Sequence, residues 1–257
     1  MTYFGFLLRF LVIPILLLLA VMLWRAKTTR EASTRPLWAA TVIHIGLALL
    51  YTTPWDNYLV ATGVWYYNPR LVSGILLWYV PLEEYTFFVL QTIFVSLWLW
   101  LVSRWTAPQG GFRPSGRLRL WTCAALALLW LLSAGVLLSG WKPGTYLSIL
   151  LFWALPPLIV QSAFGADILW QFRRQLAAVI LPLGLYLSLT DSLAITASTW
   201  TIDPAQTTGL MLGSLPVEEA IFFFTTVILT AFGVTLFLAP ESRQRLGRYR
   251  STRAPYI

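Results

Sequence analysis

Charge is scarce in this chain. Of its 257 residues 11% are charged and 58% are hydrophobic, whereas an ordinary soluble domain is about a quarter charged. Long uncharged runs recur, which excludes a set of conventional soluble domains and makes lipid the solvent for most of the surface. One cysteine, Cys123, lies in an apolar run, so there is no internal disulfide and no cysteine-based metal site. One histidine, His44, has no second histidine to share a metal and is expected to be a packed or hydrogen-bonded helix residue. The two lysines, Lys27 and Lys142, fall between apolar runs; no helix offers a Schiff-base lysine, which sets aside a retinal photoreceptor. There is no Asp-x-x-Asp cluster to hold a magnesium diphosphate, which sets aside a membrane prenyltransferase. No Gly-x-Gly-x-x-Gly is present either.

What is there is a series of membrane spans. Apolar runs predict helices near 3–23, 37–52, 82–103, 119–139, 145–163, 176–190 and 216–238. The first ends in Trp24-Arg25-Ala26-Lys27 without a small-residue cleavage site and reads as a transmembrane helix, not a signal peptide. The apolar runs before Pro81 and Pro216 read as extra helical turns or as short segments dipping into the membrane.

The net charge of +8 invites a nucleic-acid reading, but the positions of the basic residues argue against it. Arg25, Lys27, Arg30 and Arg35 follow the first helix. Arg104, Arg113, Arg117 and Arg119 follow the third, and Arg173 and Arg174 the fifth. Arg243, Arg245, Arg248, Arg250 and Arg253 follow the seventh. Alternating spans put all of these on one side, with Arg70 and Lys142 on the other. This is the positive-inside pattern, and it places the N-terminus outside and the C-terminus in the cytoplasm of a multi-pass cell-membrane protein. The basic tail after Glu241 reads as a solvated, lipid-facing anchor.

The chain also repeats itself. At an ungapped offset of 135 residues, Asp56 matches Asp191, Trp65 matches Trp200, and Pro69 matches Pro204. Gly74, Leu77, Pro81, Glu83, Glu84, Phe87 and Phe88 match Gly209, Leu212, Pro216, Glu218, Glu219, Phe222 and Phe223. Each repeat holds three helices with one helix between them, so both enter the membrane the same way round, as parallel repeats about an axis along the membrane normal. The expected architecture is an all-α bundle of about seven spans. Residues 1–105 form the first repeat, 106–140 a linker with a connecting helix, 141–240 the second repeat and 241–257 the tail.

Six of the ten acidic residues are repeat-matched: Asp56, Glu83, Glu84, Asp191, Glu218 and Glu219. A bland reading of Pro-x-Glu-Glu is a helix start, since proline suits the first position and carboxylates the positive helix end. Three features favour chemistry. Ionisable groups at mid-helix cost about 2.5–3.5 kcal/mol on insertion scales and tend to be functional. No arginine or lysine lies near either motif in the sequence. A phenylalanine pair follows each motif at helical spacing, so acid and rings share a face. A carboxyl among apolar groups can stay protonated and act as a general acid. Aromatic faces can steady a developing cation. This suits proton-initiated chemistry on an apolar alkene. Trp55, Trp65, Tyr66, Tyr67, Trp78 and Tyr79 read as an interfacial belt, with repeat-matched Trp65 and Trp200 also candidates for the site.

The stretches Thr53-Pro54-Trp55-Asp56-Asn57-Tyr58, Gly63-Val64-Trp65 and Val80-Pro81-Leu82-Glu83-Glu84-Tyr85-Thr86-Phe87-Phe88 strongly resemble the small integral-membrane lycopene cyclases. Leu215-Pro216-Val217-Glu218-Glu219, with Phe222 and Phe223, resembles the second copy of that family's motif. The resemblance covers nearly the whole chain and implies closure of the open ends of lycopene to β-rings, giving γ- and then β-carotene without net redox change. It implies acid and base roles shared among Glu83, Glu84, Glu218 and Glu219, with Asp56 and Asp191 in support. Trp65, Trp200, Phe87, Phe88, Phe222 and Phe223 would line the substrate. It further implies a lipid-dissolved polyene substrate and association with other carotenoid-pathway enzymes. No flavin, nicotinamide or metal is expected. Cyclisation of fifty-carbon carotenoids, or formation of ε- or γ-type rings, is the enzymatic alternative. A proton-coupled transporter is the other; it would need polar residues deep in the spans, and the sequence shows few.

Overall fold

The computed structural model describes residues 1–28, 33–106 and 111–253. Arg30 lies outside the described residues, as do the side chains of Arg248, Arg250 and Arg253. Among the described residues, seven helices are long and apolar enough to cross a membrane. They are α1 (Tyr3–Thr28), α2 (Arg35–Ala61), α3 (Leu82–Val102), α4 (Gly116–Ser139), α5 (Thr145–Gln171), α6 (Arg173–Thr196) and α7 (Val217–Leu238). A further helix, α8 (Pro240–Arg253), follows. The chain is the all-α membrane bundle that the hydropathy predicts.

Several spans run further than the sequence suggests. α2 continues through Pro54 to Ala61, and α6 through Pro182 to Thr196. α5 carries Pro156 and Pro157 and breaks its helical geometry at Gly165. In lipid a broken helix leaves backbone groups that water cannot satisfy, so helices tolerate proline where neighbours compensate. The extension matters for function, because it puts Asp56 and Asp191 inside helices near their ends and not in loops.

The segments before Pro81 and Pro216 are not extra helical turns. Each is a tight β-hairpin: β2 (Leu76–Leu77) with β3 (Val80–Pro81), and β5 (Met211–Leu212) with β6 (Leu215–Pro216). Gly74 and Gly209 enter the hairpins at φ of 80° and 77°, a conformation costly to side chains with a Cβ. The turns carry positive φ at Trp78 and, at the matched position, Gly213, as two-residue hairpin turns require. Each hairpin closes on the helix that follows. Leu82 N donates to Ile75 O and Val217 N to Leu210 O, both at 2.9 Å.

The two halves meet about a local two-fold axis. Strands β1 (Trp65–Tyr67) and β4 (Trp200–Ile202) pair antiparallel, with Tyr66 opposite Thr201 at the centre. Those two residues are themselves equivalent at the 135-residue offset. Deeper in, the equivalent residues Gln91 on α3 and Thr226 on α7 touch. Helices that meet at equivalent positions at two depths run in the same direction, so the axis lies along them, as for parallel repeats. α4 packs on α5 and is otherwise largely exposed, with Ser133 buried.

At the end of the bundle that carries the arginines, α8 is tied down. Arg245 donates to both carboxylate oxygens of Asp167, at 3.0 and 2.7 Å, and also to Phe164 O. The Arg245 side chain is 10% exposed. This part of the tail is therefore docked on α5 and is not the solvated anchor expected from its charge, because the buried Asp167 needs a partner. His44 conforms to its expectation: Nδ1 lies 2.7 Å from Ala40 O, four residues back on α2.

Candidate active site

The acids gather at the other end. Glu83 and Glu84 open α3, Glu218 and Glu219 open α7, and Asp56 and Asp191 sit in the last turns of α2 and α6. All six are at most 5% exposed. The structure then divides each Glu-Glu pair.

Glu83 and Glu218 face their own hairpins. Glu83 accepts from Ser73 N at 2.5 Å and Ser73 Oγ at 3.1 Å. Glu218 accepts from Thr208 N and Oγ1, both at 2.7 Å. Ser73 and Thr208 are equivalent in the repeat, so this is a duplicated anchor in which a buried glutamate holds the loop that precedes its hairpin.

Glu84 and Glu219 turn instead into one cavity of about 30 Å³ between the halves. Asp191, Trp65, Trp200, Phe87, Phe222 and Phe223 join them there. Phe88 does not line it, and Asp56 lies behind the wall, fully buried, with neither carboxylate oxygen partnered. Asp191 accepts from Trp200 Nε1 at 2.8 Å and leaves its other oxygen without a partner.

Three tyrosines complete the site. Glu84 Oε2 accepts from Tyr3 Oη and, at 3.1 Å, from Tyr67 Oη. Glu219 Oε1 accepts from Tyr146 Oη at 2.7 Å. Burial pushes the Tyr67 hydroxyl well above the ordinary tyrosine range, and the carboxyls of Asp56 and Glu84 add to the shift; at neutral pH it is a neutral donor. The ring faces are close around the acids. Tyr3 and Trp200 lie 4.7 Å apart, Phe87 and Phe223 6.0 Å, and Trp65 and Phe222 5.7 Å.

These tyrosines carry a sequence signal that an ungapped offset hides. Thr2-Tyr3, Leu7-Leu8 and Pro14 recur as Thr145-Tyr146, Leu150-Leu151 and Pro157, 143 residues on. The first helix of each repeat is thus displaced by eight residues relative to the rest. The structure makes the same match: Tyr51 Oη donates to Trp153 O at 2.8 Å and Tyr186 Oη to Phe10 O at 3.0 Å. Tyr51 and Tyr186 are 135 apart, and Phe10 and Trp153 are 143 apart.

An arrangement of this kind holds two carboxyl groups in one ring-lined space. Hydroxyls fix their orientation, so a proton can be given at one carboxyl and taken at another. Neutral tyrosine donors and ring faces suit a cationic intermediate.

Comparison with known proteins agrees. The lycopene cyclase family model matches residues 2–102 and 143–237, segments that include Tyr3 and Tyr146 near their starts. A lycopene beta-cyclase of Halobacterium salinarum is 37% identical over 88% of this chain and 93% of its own length. A bifunctional lycopene cyclase/phytoene synthase of Podospora anserina is 34% identical over 75% of this chain and 34% of its own. No solved structure matches the chain.

Proposed function

The chain belongs to the lycopene cyclase family, and from that premise we propose that it is a lycopene β-cyclase closing both ends of lycopene in turn. One observation carries the reading: Glu84 and Glu219, equivalent in the repeat, share a single aromatic cavity in which buried tyrosines orient each of them. A carboxyl O–H in this cavity gives its proton to the terminal double bond of the polyene. The resulting tertiary cation is attacked by the next double bond along, which closes the ring and moves the charge into it. A carboxylate removes a ring proton and restores a double bond. One proton enters and one leaves, so the product is an isomer of the substrate.

In this reading Glu84 and Glu219 exchange protons with substrate, and Asp56 and Asp191 return protons to them or steady the charge. Trp65, Trp200, Phe87, Phe222 and Phe223 face the cation. Glu83 and Glu218 act as positioning residues, holding the hairpins from which α3 and α7 begin. Residues 1–105 and 141–240 are the two repeats that supply one half-site each. The acid-bearing end faces outward and the arginine-rich end the cytoplasm of the cell membrane, where other enzymes of carotenoid synthesis are natural neighbours.

Expression in lycopene-accumulating bacteria, followed by pigment chromatography, tests the proposal. β-Carotene is expected. Unchanged lycopene beside folded protein defeats it, and ε-ring or fifty-carbon products appearing instead would favour the alternative cyclase.

A further inference from the structure

The acid cavity, at about 30 Å³, is small beside its neighbour. It has no room for a polyene end unless a neighbouring space connects to it. A second cavity of about 240 Å³ lies between α2, α3, α5 and α7. The two share Phe222, whose ring stacks on Trp55 at 5.7 Å and lies 6.4 Å from Trp153.

The outer rim of the larger cavity includes Leu47 and Tyr51, 54% and 43% exposed on the surface that faces lipid. Towards the acid end, Tyr51 and Trp55 bond to backbone carbonyls of α5, closing the gap between the helices. Below these ties the helices part. From Phe222 the lining reaches Thr230 on α7, eight residues and about 12 Å further into the membrane.

The pseudo-equivalent region on the other side of the two-fold axis is filled. Ala48, Thr52, Leu229 and Thr230 line this cavity; their counterparts at the repeat offset are Leu183, Leu187, Phe94 and Val95, all buried. Phe94 and Tyr186 pack edge to face at 5.8 Å there. At each of these four positions the cavity side carries the smaller or more polar side chain of the pair. The cavity also brings His44, Gln91 and Gln161 together in mid-span, more polar groups at depth than the sequence suggested.

We propose that this cavity is the lateral entry through which one end of the polyene passes from the bilayer, beside Phe222, to Glu84 and Glu219. The proposal rests on the lycopene cyclase reading. In this proposal the two ends react in separate visits, and the bulk of Ala48 and Thr230 decides whether a chain can enter.

Ala48→Trp and Thr230→Trp, on opposite walls, fill the cavity without touching an acid. Each is expected to lower ring formation about a hundredfold, the scale of loss when a reactant cannot reach its position. Leu50→Trp, on the lipid face at 78% exposure, should leave it unchanged. Full conversion of lycopene by either filled variant, monodisperse in detergent, overturns the entry proposal while leaving the cyclase reading intact. A wild-type protein that forms no rings defeats the cyclase reading itself. If both variants fail to fold, a structure of the wild-type protein with β-carotene bound decides. Density between α2 and α5 supports the entry, and density only elsewhere overturns it.

Discussion

Gln91 donates its side-chain amide to Thr226 Oγ1 at 2.6 Å, and these two residues are the same position of the repeat. A residue that contacts its own counterpart marks the axis of the molecule. The two ends of this bond are not equally replaceable. Thr226 Oγ1 has a second partner in Phe223 O at 3.0 Å, so Gln91→Leu leaves it satisfied. Thr226→Val takes from the Gln91 amide the acceptor it uses in the folded bundle. Hydrogen bonds between membrane helices average about 0.6 kcal/mol with a maximum near 1.7. Thr226→Val is expected towards the upper figure and Gln91→Leu towards the lower. Thermal unfolding in detergent, with the double variant closing the cycle, measures the difference.

The Glu-Glu pairs should separate by phenotype. Glu84→Gln and Glu219→Gln keep shape and hydrogen-bonding capacity but remove the exchangeable carboxyl, so each is expected to abolish or halve ring formation at unchanged folded yield. Glu83→Ala and Glu218→Ala take the acceptor from Ser73 N and Thr208 N. Both loop donors are only partly buried, so water can replace some of each lost bond; the cost should be about 1 kcal/mol each, and folded yield should fall modestly with activity. Pigment analysis normalised to purified protein separates the two effects. Full activity in both Gln variants would remove these carboxyls from the chemistry.

The tyrosines should matter unequally. Glu84 has two tyrosine donors and Glu219 one. Losing a hydrogen bond to a charged group costs about 1.5–3 kcal/mol, or roughly ten- to a hundredfold in rate if it acts in the transition state. Tyr146→Phe is expected to approach that loss. Tyr67→Phe should fall short of it, because Tyr3 still holds Glu84. Initial rates of lycopene consumption in membranes compare them.

At the opposite end, Arg245→Met leaves Asp167 buried beside a lost partner. Breaking a buried ion pair typically costs about 3–5 kcal/mol. The loss here should be smaller, since Ser115 N still donates to Asp167 at 2.9 Å and Arg119 lies 3.9 Å away. The double variant Arg245→Met, Asp167→Asn should recover most of it. Unfolding temperatures of the three variants check this.

The sequence by itself determined the membrane class, the seven spans, the duplication and the set of acids. All of these follow from composition and from residues recurring at fixed spacing, which the chain carries without folding. The first helix of each repeat escaped an ungapped comparison, although Thr-Tyr lies at the start of both α1 and α5; the second repeat is eight residues shorter between its first helix and the rest, so the register shifts by that much. Tertiary structure alone decided which glutamate of each pair faces the cavity. Neighbours on a helix point about 100° apart, and nothing local to Pro-x-Glu-Glu says which direction the partner half lies. It likewise decided that one side of the axis is open and its counterpart closed. That depends on side chains of four helices meeting across the bundle, and their bulk acquires meaning only once they share a space.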